Sequence, residues 1–238
     1  MTDLGTMRYF LGVEVIQSAT GISMCQQKYA KDVLCRFLMW DCNSVRNPIV
    51  PGIVIKKVGV GKRVDDSEYK SLVGSLMCLT VTRPDLMYAV SFISRFMSDP
   101  REEHMALSKR ILRYVKGTFN YGLFYERCVG SKLQVYTDSD YACDVEDRKC
   151  TSGYVCLLSK AVTCWSSKKQ EIVTLSSTEA EYVAATACAC HCVWLKGKVQ
   201  LLFCGTADQI ADVMTKPVKL EVFEKMRNLL GVREINDE

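Results

Sequence analysis

Beyond an opening hairpin, apolar positions up to Gly117 recur three or four residues apart, the spacing of one helix face; after Gly117 they alternate, the spacing of strands. The hairpin is MRYFLGVEVIQ and ISMC, joined by SATG with Gly21 as its turn residue. QQKYAKDVLCRFLM then sets Tyr29, Val33 and Phe37 on one helical face, and DCNSVRNPIVPG is a loop broken by Pro48 and Pro51. Three more helices are predicted. DDSEYKSLVGSLMCLTVT has an acidic first turn, and RPDLMYAVSFISRFMS has Pro84 near its start. DPREEHMALSKRILRYVKGT is opened by Asp99 and Pro100 and closed by Gly117, with Leu107, Ile111 and Val115 as its core stripe.

In the second half YGLFYE, KLQVYT, SGYVCLL and AVTCWSS read as short strands. A helix opens at SSTEAEYVAATACACHCVWL, where Ser176 and Glu179 have capping-box spacing. VQLLFC reads as a further strand, ADQIADVMTKP as a short helical turn stopped by Pro217, and KLEVFEKMRNLLG as a final amphipathic helix ending at Gly231. The period change sets a boundary between residues 1–126 and 127–238.

Hydrophobic residues make up 48% of the 238, enough for a proper core. The net charge of +4 is compatible with a nucleic-acid partner without indicating one. The thirteen cysteines come without a secretory pattern at MTDLGTMRYF, so the thiols are expected to be reduced. No apolar run reaches the roughly 20 residues of a membrane helix. The chain is therefore expected to be soluble and intracellular, cytoplasmic or nuclear.

The candidate chemistry lies at element ends. Asp138 ends a predicted strand, Glu181 sits in the first turn of the capped helix, and Asp212 opens a short helix. Carboxylates from separate elements that converge on one point are what a pair of divalent ions needs to cut a phosphodiester. Mg²⁺ takes oxygen ligands of this kind. Cys188, Cys190, His191 and Cys192 invite a zinc reading, but residues two apart on a helix face different ways and the usual Cys pair spacing is missing. Lys109, Arg110, Arg113 and Lys116 on one helix, and Lys168 and Lys169 just after Trp165, are candidates for phosphate contact; a solvated basic face is the alternative.

Several segments together resemble the Pol polyprotein of copia-type retrotransposons. YTDSDYACDVEDRKCTSGYVCLLSKAVTCWSSKKQEIVTLSSTEAEYVAA and CGTADQIADVMTKPVKLEVFEKMRNLLGV resemble its ribonuclease H domain. DLGTMRYFLGVEV, QQKYAKDVLCRF, YKSLVGSLMCLTVTRPDLMYAVSFISRFMSDP and LSKRILRYVKGT resemble the C-terminal part of its reverse transcriptase. The resemblance implies an α+β or α/β fold. Residues 1–126 would form a helical reverse-transcriptase remnant, thumb- or connection-like, and residues 127–238 an incomplete ribonuclease H-like mixed sheet. It also implies that Asp138, Glu181 and Asp212 are the catalytic, metal-binding acids, that magnesium is the ancestral cofactor, and that an RNA–DNA hybrid or another nucleic acid is the partner, with no membrane and the rest of a Pol polyprotein absent. Asp140 is a possible assistant if the strand continues past Asp138.

Two family features are missing. The reverse-transcriptase palm motif does not precede DLG, and the adjacent pair Asp65–Asp66 leads into a helix, so this chain is not expected to polymerise. The segment that in the family ends in CDN and carries a further carboxylate, with the helix after it, is replaced by the direct join WLKGKVQLLFCGT. The sheet should then lack one strand and one helix, and the nuclease is expected to be inactive. A weak magnesium-dependent ribonuclease and a non-cutting nucleic-acid scaffold are the alternatives, with Asp208 as a substitute acid in the first. VQLLFC is expected to slide inward and pair, parallel, with KLQVYT, bringing Leu201–Cys204 beside Val135.

Overall fold

The computed structural model describes residues 6–127, 133–158, 160–196, 200 and 202–235; the side chains of 194–196 lie outside that description. The fold is a mixed α+β arrangement of seven α-helices and two antiparallel sheets among these residues.

The first sheet holds β1 (Tyr9–Phe10), β2 (Val13–Gln17), β3 (Gly21–Cys25), β4 (Tyr121–Glu126) and β8 (Val232–Glu234), in the order β1-β2-β3-β4-β8. Gly21 is not the turn residue of the opening hairpin, because it begins β3. A Cβ there would run into the carbonyl of Tyr125 on the paired strand, so glycine is set by close backbone approach. The strand β8, which the sequence pattern did not suggest, brings the C-terminal end of the described chain back against β4.

The helices of the first half are α1 (Gln27–Arg36), α2 (Asp66–Leu79), α3 (Met87–Ser94) and α4 (Glu102–Gly117). The N-cap Asp65 accepts the Glu68 N–H at 2.7 Å, and Asp66 and Glu68 complement the dipole of α2. At α4 the cap lies beyond Asp99 and Pro100: His104 Nδ1 accepts the Arg101 N–H at 3.0 Å, while Nε2 meets the Lys56 carbonyl at 2.9 Å. Leu107, Ile111 and Val115 are buried as their spacing requires.

The second sheet is β5 (Gln134–Ser139), β6 (Thr151–Leu158) and β7 (Ala161–Lys169), in that order. The helix α5 (Ser177–Lys196) packs on it, followed by α6 (Asp212–Thr215) and α7 (Leu220–Leu229). Ser176 Oγ accepts the Glu179 N–H at 3.1 Å, but Glu179 reaches back to the Leu175 N–H instead of closing the box on Ser176. One apolar core runs through both halves, from Leu72, Leu76, Ile111 and Leu112 to Val155, Val162, Met214 and Phe223.

Among the described residues the expected parallel strand is absent: Val199 and Leu201 lie outside the description, and Gln200, Leu202, Phe203 and Cys204 belong to no strand. Among the described residues β5 pairs only with β6. One edge group that a new strand would need is already taken: Gln209 Nε2 donates to the Thr137 carbonyl at 3.0 Å. Leu202 and Phe203 are left exposed across a groove from β5.

A candidate acidic groove beside the edge of β5

That groove has a volume of about 790 Å³ and is lined by Asp138, Glu181 and Asp212 together with Lys216 and Gln209. Three elements deliver the acids. β5 carries Asp138, which is paired in register with Gly153 of β6. A side chain at 153 would press on Met214 Cβ at 2.5 Å and Thr215 Cγ2 at 2.9 Å. Glycine therefore lets α6 lie directly against β6, one strand from Asp138. Ile210, Ala211, Val213 and Met214 are buried and anchor α6, so Asp212 is fixed from a core position. Glu181 comes from the first turns of α5.

Their electrostatics are dominated by a lysine. Lys216 Nζ lies 2.9 Å from Asp212 Oδ1 and 3.6 Å from Asp138 Oδ2. Thr215 Oγ1 donates to Asp138 Oδ2 at 2.5 Å and also meets the Asp212 carbonyl at 3.2 Å. Burial pulls the Lys216 ammonium down, but Asp212 and Asp138 outweigh it and hold the group above its ordinary value. The Asp212 carboxyl is nevertheless raised, first by burial and then by Asp138, beyond what Lys216 offsets. The directions do not mirror each other because one ammonium serves two buried carboxylates. Glu181, an exposed residue overall, is raised by burial at its carboxyl and by Asp138.

The arrangement does not fit a metal as it stands. Among the described residues no three His, Cys, Asp or Glu side chains stand where they could hold one ion. The point between Asp138 and Asp212 is taken by Lys216, and cations there would repel.

The other candidates lie elsewhere. Asp140 follows the end of β5 and accepts the Thr151 N–H at 2.5 Å, so it fastens the strand end. Asp208 has a side chain 82% exposed, 3.8 Å from Lys225, and is not part of the groove lining. On α4, Arg113 Nε donates to the Asn43 carbonyl at 2.7 Å, Arg110 to Asn47 Oδ1 at 2.5 Å, and the Lys116 ammonium sits 3.8 Å over the Trp40 ring. Those three hold the 40–47 segment, while Lys109 is exposed. Lys168 pairs with Glu171 at 3.2 Å, and Lys169 pairs with Asp144 at 2.5 Å and Asp147 at 2.7 Å. Lys216 and Gln209 line the groove and Thr215 is buried beside it, and the sequence pattern singles out none of the three. The one available signal was that the ADVMTK run sets a lysine four residues after Asp212, within reach on one helical turn.

The reverse transcriptase (RNA-dependent DNA polymerase) family profile matches residues 1–51. The chain is 31% identical to the retrovirus-related Pol polyprotein from transposon RE1 of Arabidopsis thaliana, over 98% of this chain and 19% of that protein. That alignment runs over 285 positions against 238 residues here, so the relative carries dozens of residues that this chain lacks. The identity to the Pol polyprotein from transposon TNT 1-94 of Nicotiana tabacum is 37%, over 85% of this chain and 16% of the relative. An uncharacterized mitochondrial protein of Arabidopsis thaliana is 38% identical over 82% of this chain and 80% of its own length. The chain thus spans less than a fifth of the two polyproteins. No solved structure matches. The chain belongs to the copia-type retrotransposon Pol polyproteins, as a stretch of reverse transcriptase and the sequence downstream of it.

Proposed function

We propose that residues 127–238 descend from a ribonuclease H-like unit and form a catalytically silent domain behind a reverse-transcriptase remnant, residues 1–126. The observation that carries this reading is Lys216. Its ammonium stands between Asp138 and Asp212, 3.6 and 2.9 Å from their respective oxygens, where hydrolysis by this kind of site requires divalent ions. The matching family profile is that of an RNA-dependent DNA polymerase, an activity on nucleic acid. Asp138, Glu181 and Asp212 on one groove are the residues a ribonuclease H-like function would have used. An ion cluster with a lysine inside cannot orient an attacking water between two metals, so the acids now serve cohesion between β5 and α6. Among the described residues no strand pairs with β5 on the side of the groove, which supports the same reading.

The scaffold alternative receives less support. Arg110, Arg113 and Lys116 are spent on internal contacts, and Lys169 is spent on two aspartates. The test is incubation of the purified chain with a labelled RNA–DNA hybrid and magnesium. The reading predicts no cleavage above that of the Asp138→Asn variant. Cleavage that disappears in Asp138→Asn overturns it. A filter-binding salt titration on the same samples separates the scaffold, whose binding would weaken steeply as salt rises.

A further inference from the structure

A second chemical cluster lies away from the acidic groove, under the C-terminal half of α5. Cys156 of β6 and Cys164 of β7 are register partners. Cys188 and Cys192, one turn apart on α5, lie near them with their Sγ atoms 3.9 Å apart. Cys156, Cys188 and Cys192 are buried, whereas Cys164 is half-buried at the margin. Cys164 Sγ lies 3.0 Å from His191 Nε2 and 3.9 Å from the Tyr154 hydroxyl. The Tyr154 ring flanks the imidazole, with centroids 5.5 Å apart. No three of these groups stand in a metal-holding arrangement among the described residues. What remains is the chemistry of the thiols themselves.

Burial divides the thiols into two kinds. It pushes the Cys188 thiol up to about 12 and raises Cys156 as well, so both stay protonated and inert as nucleophiles. Cys164 combines partial exposure with a base in contact, and an adjacent imidazole is the usual activator of a cysteine nucleophile. The thiol and imidazole come from separate elements, β7 and α5, held in place by the packing of one on the other.

We propose that Cys164, activated by His191, is a modification site for low-molecular-weight disulfides of the glutathione type. His191 Nε2 accepts the Cys164 proton, and Cys164 Sγ attacks one sulfur of the disulfide. That S–S bond breaks as the Cys164–glutathione disulfide forms. The second glutathione leaves as a thiolate and takes the proton back from the imidazolium. Cys164 is oxidised and the departing glutathione is reduced, so the disulfide is itself the oxidant. The adduct sets a charged tripeptide at the seam between β7 and α5, next to the buried thiols.

The test is a time course of the reduced full chain with oxidised glutathione, read by peptide mass mapping. Cys190, exposed on the same helix, is the internal reference. The expected result is an adduct at Cys164 forming on the order of tenfold faster than at Cys190, since Cys164 has an imidazole in contact to take its proton. His191→Asn should slow Cys164 by a similar factor and leave Cys190 unchanged, with a melting curve confirming the fold. Slower modification of Cys164 than of Cys190 in the unaltered chain overturns the proposal, and that comparison needs no variant. An unchanged Cys164 rate in folded His191→Asn overturns it equally.

Discussion

Replacing Lys216 by methionine keeps most of the side chain's volume and removes the ammonium that joins β5 to α6. At about 3 Å and an effective dielectric near 20, one such contact is worth roughly 5 kcal/mol before solvation is counted. The lysine side chain is 40% exposed, so water screens a large part of that attraction. The two carboxylates are only 10% and 11% exposed and would be left facing each other unneutralised. The net loss is then about 1–3 kcal/mol. For a chain of 238 residues each kcal/mol moves the thermal midpoint by about 2–4 °C, so a fall of roughly 2–12 °C is expected. The assay is thermal unfolding by circular dichroism at neutral pH and moderate salt, with Lys216→Arg as the charge-keeping control. Lys216→Arg should recover at least half of the loss. A midpoint for Lys216→Met equal to or above that of the unaltered chain would refute the idea that this ammonium holds the acids together.

Gly153→Ala should lower the midpoint by an amount equivalent to about 1–3 kcal/mol, because the new Cβ pushes α6 off β6 at Met214; melting curves check it. Arg83→Met should cost about 3–5 kcal/mol, since Arg83 is buried against Asp85 at 2.8 Å and donates to the Thr118 carbonyl at 2.7 Å; urea unfolding reads the loss. Burial pushes the Asp144 carboxyl up, but Lys169 and the N–H groups of Glu146 and Asp147 outweigh it and hold the group at about 2. A lowered folded-state value stabilises at pH above the unfolded value, near 4, and that stability is lost as pH falls toward 2. After discounting for solvent, about 1 kcal/mol is at stake. The stability gap between the unaltered chain and Asp144→Asn should therefore close between about pH 4 and pH 2, and a gap independent of pH would contradict this.

Periodicity was sufficient for α1 through α4, α7 and the strands β2 to β7, because each turns one apolar face inward, while the Ser176–Glu179 spacing marked the start of α5, whose Cys188 and Cys192 belong to a smaller cluster. It failed where tertiary contacts decide. VQLLFC is as apolar as a strand, but Gln209 already holds the Thr137 carbonyl on the edge of β5 that it would need. β8 is three residues long, too short to show a period, and is defined by its pairing with β4. Gly21 carried a turn signal, yet it meets a neighbouring strand's backbone, which lies a hundred residues further along the chain. In the candidate site the three acids were legible from their positions at element ends. Lys216 was not, because a lysine beside a predicted acid also reads as an ordinary helical ion pair, and nothing local says that it reaches Asp138 of another element.

On the proposal above, the Lys216 ammonium occupies the point between Asp138 and Asp212 where a metal would sit. The most direct measurement is titration of the unaltered chain with Mn²⁺ as a paramagnetic stand-in for magnesium, with bound ion read by electron paramagnetic resonance. The account predicts no bound ion attributable to Asp138, so that the unaltered chain and Asp138→Asn give the same titration. One equivalent bound by the unaltered chain and lost in Asp138→Asn would contradict it.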